Sequence, residues 1–286
     1  MKTLDFRTFQ TRLAQLNEIS DDLNEKEVIA RFKEEEAKLI KENEQILLAH
    51  NSESPHPTKQ TVLYRTITHY PGFDENIASS FSHPTPNKTR LNRCNIPKHP
   101  VFYCSDSGSI CVSEAIYNKQ LSFPFYLYLS HWQVNVDRKW RILPFVFHGL
   151  PSINKAHEYS TRNKQLLFTK YKDVLAEKEI EQYIHIYHRE FRKYHPEDTK
   201  GSNYKFSSLI SHEFLYRDEG DIVFYPSVQV AAEGNNYAIN TKHIKDKNVC
   251  LIKVDKIRIE DVCGVYDWYL EAVGTPVEDL IKWKKM

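Results

Sequence analysis

The sequence predicts an α+β protein with an N-terminal helical extension, and three observations carry that prediction. Lys/Glu-rich stretches near the start and around residues 155–195 place apolar residues at helical spacing. Short β-branched and aromatic runs, bounded by Pro, Asn and Asp, read as strands. The two textures follow each other in mixed order, without the regular βαβ alternation of a doubly wound sheet. At 286 residues the chain is long enough for one large domain with an appendage and a sizeable core.

Residues 1–55 form the predicted extension. Leu4, Phe9, Leu13 and Leu16, then Val28, Ile29, Phe32, Leu39, Ile40 and Leu47, make an apolar stripe that Asp21, Asp22 and Asn24 divide into two helices. The polar, proline-bearing run 51–60 reads as a linker, and 56–286 is the main domain. Strands are expected at 61–70 and 100–105, separated by a long proline-bearing loop. A helix follows over 107–120, opening at Ser107 or Ser109, where a hydroxyl caps the first amides. Residues 123–136 and 140–147 read as two strands joined by a turn at 137–139. Helices are expected over 155–195 and 206–217, and strands over 221–229, 235–240 and 248–261. The tail, PVEDLIKWKKM, reads as a short amphipathic end.

Composition excludes several function classes. A net charge of +1 offers no global field for nucleic acid or an anionic membrane. No stretch approaches the roughly 20 apolar residues of a membrane span. The five cysteines are odd in number, form no CxxC pair and follow no signal-like apolar run, so reduced thiols in a cytoplasm are expected. There is no GxGxxG, no GxxxxGK[ST] and no HExxH. His185 and His188 share a helix face but lack a third ligand, so no metal is expected. The basic run 188–195 reads as a solvated helix face.

Three polar residues stand out against apolar surroundings: Arg65 in the strand segment LYRTI, Glu114 in the small-residue helix CVSEAI, and Ser227 after Tyr225-Pro226. Taken singly, each also fits a solvent-facing residue or a turn. Their order and context gain weight from a resemblance over about 61–260. Tyr64-Arg65, RLNRCNIPKHPVFYCS (90–105), SICVSEAI (109–116) and DIVFYPSVQVAAEGNNYAI (221–239) resemble, in the same order, four blocks of the RES family. The chain departs from that pattern at Lys88, Thr89 and His99, where glycines are usual, and in a longer helical stretch over 155–205.

The resemblance implies an ADP-ribosyltransferase-like fold of mixed and antiparallel sheets with flanking helices. It also implies an NAD-consuming toxin of a toxin–antitoxin pair, with NAD as substrate and ADP-ribose passed to phosphate or water. Arg65, Glu114 and Ser227 become the expected catalytic set, with Tyr64, Arg90, Asn92, Tyr103 and Asn236 as NAD-binding residues. In that scheme Arg65 and Arg90 suit the pyrophosphate, because guanidinium pairs bidentately with phosphate oxygens. Glu114 suits a ribosyl cation, and Tyr103 suits stacking on nicotinamide. Ser227 binds a phosphate or holds Glu114; no His or Lys stands beside it to make it a nucleophile. Asn92 and Asn236 orient the ribose or the loops. The alternatives are a mono-ADP-ribosyltransferase with a protein target and a non-catalytic NAD-binding module. Expected partners are a cognate antitoxin and a second copy through the N-terminal helices.

Overall fold

The computed structural model describes residues 52–54, 61–116, 122–145, 150–154, 156–172, 176–193, 204–217, 220–227, 233–262 and 265–286, together with Thr11 and Ala30. The predicted N-terminal helices, and any dimer contact through them, lie outside the described residues.

Ten strands among the described residues join in one twisted sheet. In chain order they are β1 (Ser52–Ser54), β2 (Val62–Thr68), β3 (Val101–Ser105), β4 (Phe125–Val134), β5 (Trp140–Pro144), β6 (Ile222–Pro226), β7 (Asn235–Asn240), β8 (Val249–Val262), β9 (Val265–Val277) and β10 (Leu280–Lys285). Their spatial order is β1-β5-β6-β7-β3-β2-β4-β8-β9-β10, and β5–β6 is the parallel pair in an otherwise antiparallel sheet. The helices are α1 (Gly108–Ile116), α2 (His157–Tyr171), α3 (Glu177–Arg192), α4 (Lys205–His212) and the short α5 (Lys242–Lys245). The fold is therefore mixed, as the sequence predicts.

Two apolar clusters cover opposite faces of the β5-β6-β7-β3 half. One packs Ile180, Ile184, Tyr187 and Phe191 of α3 and Phe206, Leu209 and Ile210 of α4 onto Leu143, Val223, Tyr225 and Ala238. The other buries Phe102, Trp132, Trp140, Ile142, Ile222, Phe224, Tyr237 and Ile239. A third cluster seats α1 on the other half, with Cys111 and Val112 against Leu127, Leu129, Ile257 and Ile259. Each fully buried Leu, Ile or Phe contributes about 1.5–3 kcal/mol, so these clusters supply the main cohesion.

Three sequence expectations change. Ser52–Ser54, inside the predicted linker, pairs with β5. The helix expected over 206–217 widens into a π-helical turn at Glu213–Arg217; the helix expected over 107–120 is described from Gly108 to Ile116, its last four residues lying outside the described residues. The tail is amphipathic with a period of two, since it is the second arm of a hairpin whose first arm, β9, no sequence signal identified. Glu278, at φ 54°, makes the two-residue turn with Asp279. Ile281 then packs so close to Gly274 that a Cβ there would lie 2.5 Å from its Cγ2. No helix among the described residues is long and apolar enough to cross a membrane.

Candidate active site

The site begins where the sheet parts. β2 and β3 are neighbours, yet a single residue pair, Tyr64 with Ser105, joins them. Past that pair the strands diverge, leaving β3 carbonyls without a ladder partner. Arg65 fills this gap: its Nη1 donates to the Tyr103 carbonyl at 2.9 Å, and its guanidinium lies 5.5 Å from the centre of the Phe102 ring. Its Nε is buried with no hydrogen-bond partner among the described residues. Burial pulls the Arg65 guanidinium below its ordinary range. Arginine nevertheless stays charged in proteins, so the site holds a desolvated cation.

The carboxylate wall is built from the end of β3. After Ser105 the chain turns at Asp106 into α1, and Asp106 accepts hydrogen bonds from the Asn235 amide at 3.1 Å and from Asn235 Nδ2 at 2.8 Å. Asn154 and Asn235 exchange side-chain bonds at 2.9 and 3.1 Å. All three side chains are buried, so this network fixes α1 against the start of β7. Gly234 makes the approach possible: a Cβ there would fall 1.8 Å from Ile110 Cδ1.

That docking delivers Glu114. Its Oε1 accepts hydrogen bonds from Asn236 Nδ2 at 2.8 Å and from the Ser227 hydroxyl. Ser227 is held in turn by its amide, which donates to the Gly234 carbonyl at 2.8 Å. Both donors use one carboxylate oxygen, and Oε2 carries no hydrogen bond among the described residues. Ser227 is fully buried and does not line the cavity, so among the two roles open to it the geometry favours holding Glu114.

A cavity of about 540 Å³ opens between these walls, within the range of small-molecule sites. Of the residues named from the sequence it is lined by Arg65, Arg90, Asn92, Tyr103, Glu114 and Asn236, and beside them by Lys88, Arg93, Tyr204 and Tyr225. Its charged lining is four cations, Arg65, Lys88, Arg90 and Arg93, against one carboxylate, Glu114.

Four of the expected NAD-binding residues, Tyr64, Arg90, Asn92 and Tyr103, are placed differently from one another. Tyr64 is absent from the lining: strand alternation turns its ring to the opposite face from Arg65, where it packs with the α1 cluster, 5.0 Å edge-to-face from His131. Arg90 and Asn92 are exposed and sit at the rim. Asn92 shapes the loop, its Oδ1 accepting from the Arg93 amide at 2.8 Å. Tyr103 lines the cavity, and its hydroxyl is engaged twice, donating to Asn95 Oδ1 and accepting from the Cys94 amide, both at 2.8 Å. Burial raises the Tyr103 hydroxyl well above the usual phenol range.

Arg93 is the residue that sequence reasoning missed. It is 8% exposed, donates through Nη2 to the Lys193 carbonyl at 3.1 Å, and lies 5.0 Å from the Tyr204 ring centre and 5.5 Å from that of Tyr225. Its Nη1 is buried and has no hydrogen-bond partner among the described residues. Neither Arg65 nor Arg93 has an ion pair among the described residues. Two tandem triplets, Arg90-Leu91-Asn92 and Arg93-Cys94-Asn95, carry the same pattern, and the second is the buried one. The discriminating signal lies further on. Lys98, at φ 67°, makes the left-handed turn into β3, and the Tyr103 hydroxyl reaches back to the second triplet alone.

No group of three or more His, Cys, Asp or Glu side chains among the described residues is placed to hold a metal ion. A model of one protein family, described as the RES domain, matches residues 62–258, which contain every lining residue of the cavity. No curated protein and no solved structure matches the chain.

Proposed function

The chain belongs to the RES domain family, and from that premise we propose that it is an NAD-cleaving enzyme that breaks the nicotinamide–ribose bond and passes ADP-ribose to phosphate or water. The observation that carries this reading is the pairing, across one cavity, of two guanidiniums, half-buried Arg65 and buried Arg93, that have no ion pair among the described residues, with a single carboxylate locked from behind. A buried cation without a partner is costly. An anionic ligand supplies the missing charge, and a pyrophosphate offers oxygens to more than one guanidinium at once.

Glu114 then serves the reacting ribose. As the C1″–N bond breaks, both its electrons go to the pyridinium, which leaves as neutral nicotinamide. Positive charge develops on the ribose, as in glycoside cleavage. The Glu114 carboxylate stabilises that charge, with Oε2 for the ligand and Oε1 fixed by Ser227 and Asn236. An acceptor oxygen closes on C1″ and loses its proton. No strong general acid is required, because the leaving group departs neutral. The divergence of β2 and β3 provides the cleft, and we read it as an ADP-ribosyltransferase-like fold. In this reading the chain is a toxin, restrained by a separate antitoxin protein.

The test is incubation of the purified protein with NAD, with and without phosphate, read by mass spectrometry. Free nicotinamide with ADP-ribose or ADP-ribose-1″-phosphate is expected. NAD left intact under both conditions would overturn the enzyme reading. ADP-ribose attached to protein would replace small acceptors with a macromolecular one.

A further inference from the structure

We propose that Tyr204, supplied by the helical segment between β5 and β6, is the stacking platform for the adenine ring of the dinucleotide; this rests on the reading of the cavity as an NAD site. Tyr204 immediately precedes α4 and lines the cavity, half-buried. Three tyrosines line the same space, and they are not equivalent. Tyr225 is 5% exposed, leaving little of its ring for a ligand. Tyr103 is tied through its hydroxyl to Asn95 and Cys94. Tyr204 is partly exposed, and its ring is backed by the Arg93 guanidinium, 5.0 Å from the ring centre.

Arg93 determines which ring of the dinucleotide stacks there. Its buried, unpartnered Nη1 is a donor for a phosphate oxygen. A base joined through ribose to that phosphate lies beside Tyr204. The nicotinamide ring of NAD is a cation, and placing it on a tyrosine already backed by a guanidinium sets two like charges together. Adenine is neutral at pH 7 and stacks on an aromatic face without that penalty. Glu114, on α1 at the carboxylate wall, is left for the nicotinamide ribose. The two ends of the substrate are thus sorted by charge, with the cationic end at the carboxylate and the neutral base beside the arginine.

The experiment is calorimetric binding of ADP and of inorganic pyrophosphate to the full chain, wild type, Tyr204→Phe and Tyr204→Ala. Neither probe carries nicotinamide, so the outcome does not depend on cleavage. Loss of one base–aromatic stack weakens binding by about ten-fold. Tyr204→Ala is therefore expected to weaken ADP about ten-fold and leave pyrophosphate within about two-fold, while Tyr204→Phe matches wild type for both. Equal ADP affinity in wild type and Tyr204→Ala overturns the proposal. So does equal weakening of ADP and pyrophosphate, which would mean that Tyr204 acts only by holding Arg93, and so does a wild type that binds neither probe. A wild type that binds ADP through Tyr204 but leaves NAD intact keeps this inference and removes the enzymatic reading. A wild type that cleaves NAD with ADP affinity indifferent to Tyr204 does the reverse.

Discussion

The two walls of the cavity are built differently. On the carboxylate side, Glu114 Oε1 has two donors, and behind them Asp106, Asn154 and Asn235 interlock with one another. On the guanidinium side, half-buried Arg65 and buried Arg93 each hold one buried nitrogen, Nε and Nη1 respectively, without a hydrogen-bond partner among the described residues. The first wall is complete without a ligand. The second is incomplete, and an anion is what completes it. The contrast separates a group whose position must be fixed before reaction from groups whose partner arrives with the substrate.

Four substitutions probe that contrast, in order of expected effect. Glu114→Gln keeps the shape and both donors' neighbour but removes the charge, and NAD turnover should fall by about 10²–10³-fold with the melting temperature preserved. Turnover equal to wild type would remove Glu114 from the mechanism. Arg93→Met removes a charge-assisted bond to the substrate, so KM for NAD should rise by about 10–100-fold. Because the guanidinium has no ion pair among the described residues, the melting temperature should hold or rise. A marked fall in melting temperature would place Arg93 with the structural wall instead. Ser227→Ala should lower kcat about ten-fold with KM nearly unchanged, since it loosens the carboxylate without touching the ligand. A large rise in KM would return Ser227 to direct phosphate contact.

The smallest effect is expected away from the cavity, at the opposite end of β6. Burial alone would raise the Asp221 carboxyl. The His243 bond at 2.7 Å, the Arg141 amide and Arg138 outweigh burial and bring its pKa from 3.8 down to about 2. A depressed folded pKa means stability that is fully present above 3.8 and lost as pH falls toward about 2. Asp221→Asn should lower the melting temperature by about 2–4 °C per kcal/mol lost and flatten its fall in acid, with KM for NAD unchanged. An acid profile identical to wild type would show that other carboxylates govern acid unfolding.

Legibility in the sequence followed the range of the interactions. Strands β2, β4 and β5 and helix α1 were readable, because alternation, small-residue spacing and a polar turn are local signals, whereas that β4 and β5 pair with other strands and not with each other is set by long-range contacts. Glu114 and Asn236 stood in recognisable blocks, and the structure brings them to one oxygen atom. The choice between Arg90 and Arg93 was not readable, since the two triplets look alike and only a tyrosine on the next strand separates them. The β9–β10 hairpin was missed for a related reason. Tyr266 to Leu270 are all exposed, so no inside–outside alternation marks the first half of β9. The close packing of Gly274 with Ile281 is visible only once the arms are paired.

The unpartnered Arg93 nitrogen has a practical consequence for finding what this cavity holds. A protein carrying an uncompensated buried charge is less stable empty than filled, and whatever fills it shifts the unfolding equilibrium by mass action. At a ligand concentration one hundred times Kd, that shift is about 2.7 kcal/mol. A simple melting curve, recorded across a panel of nucleotides and phosphates, therefore becomes an assay for this site that requires neither turnover nor an identified product.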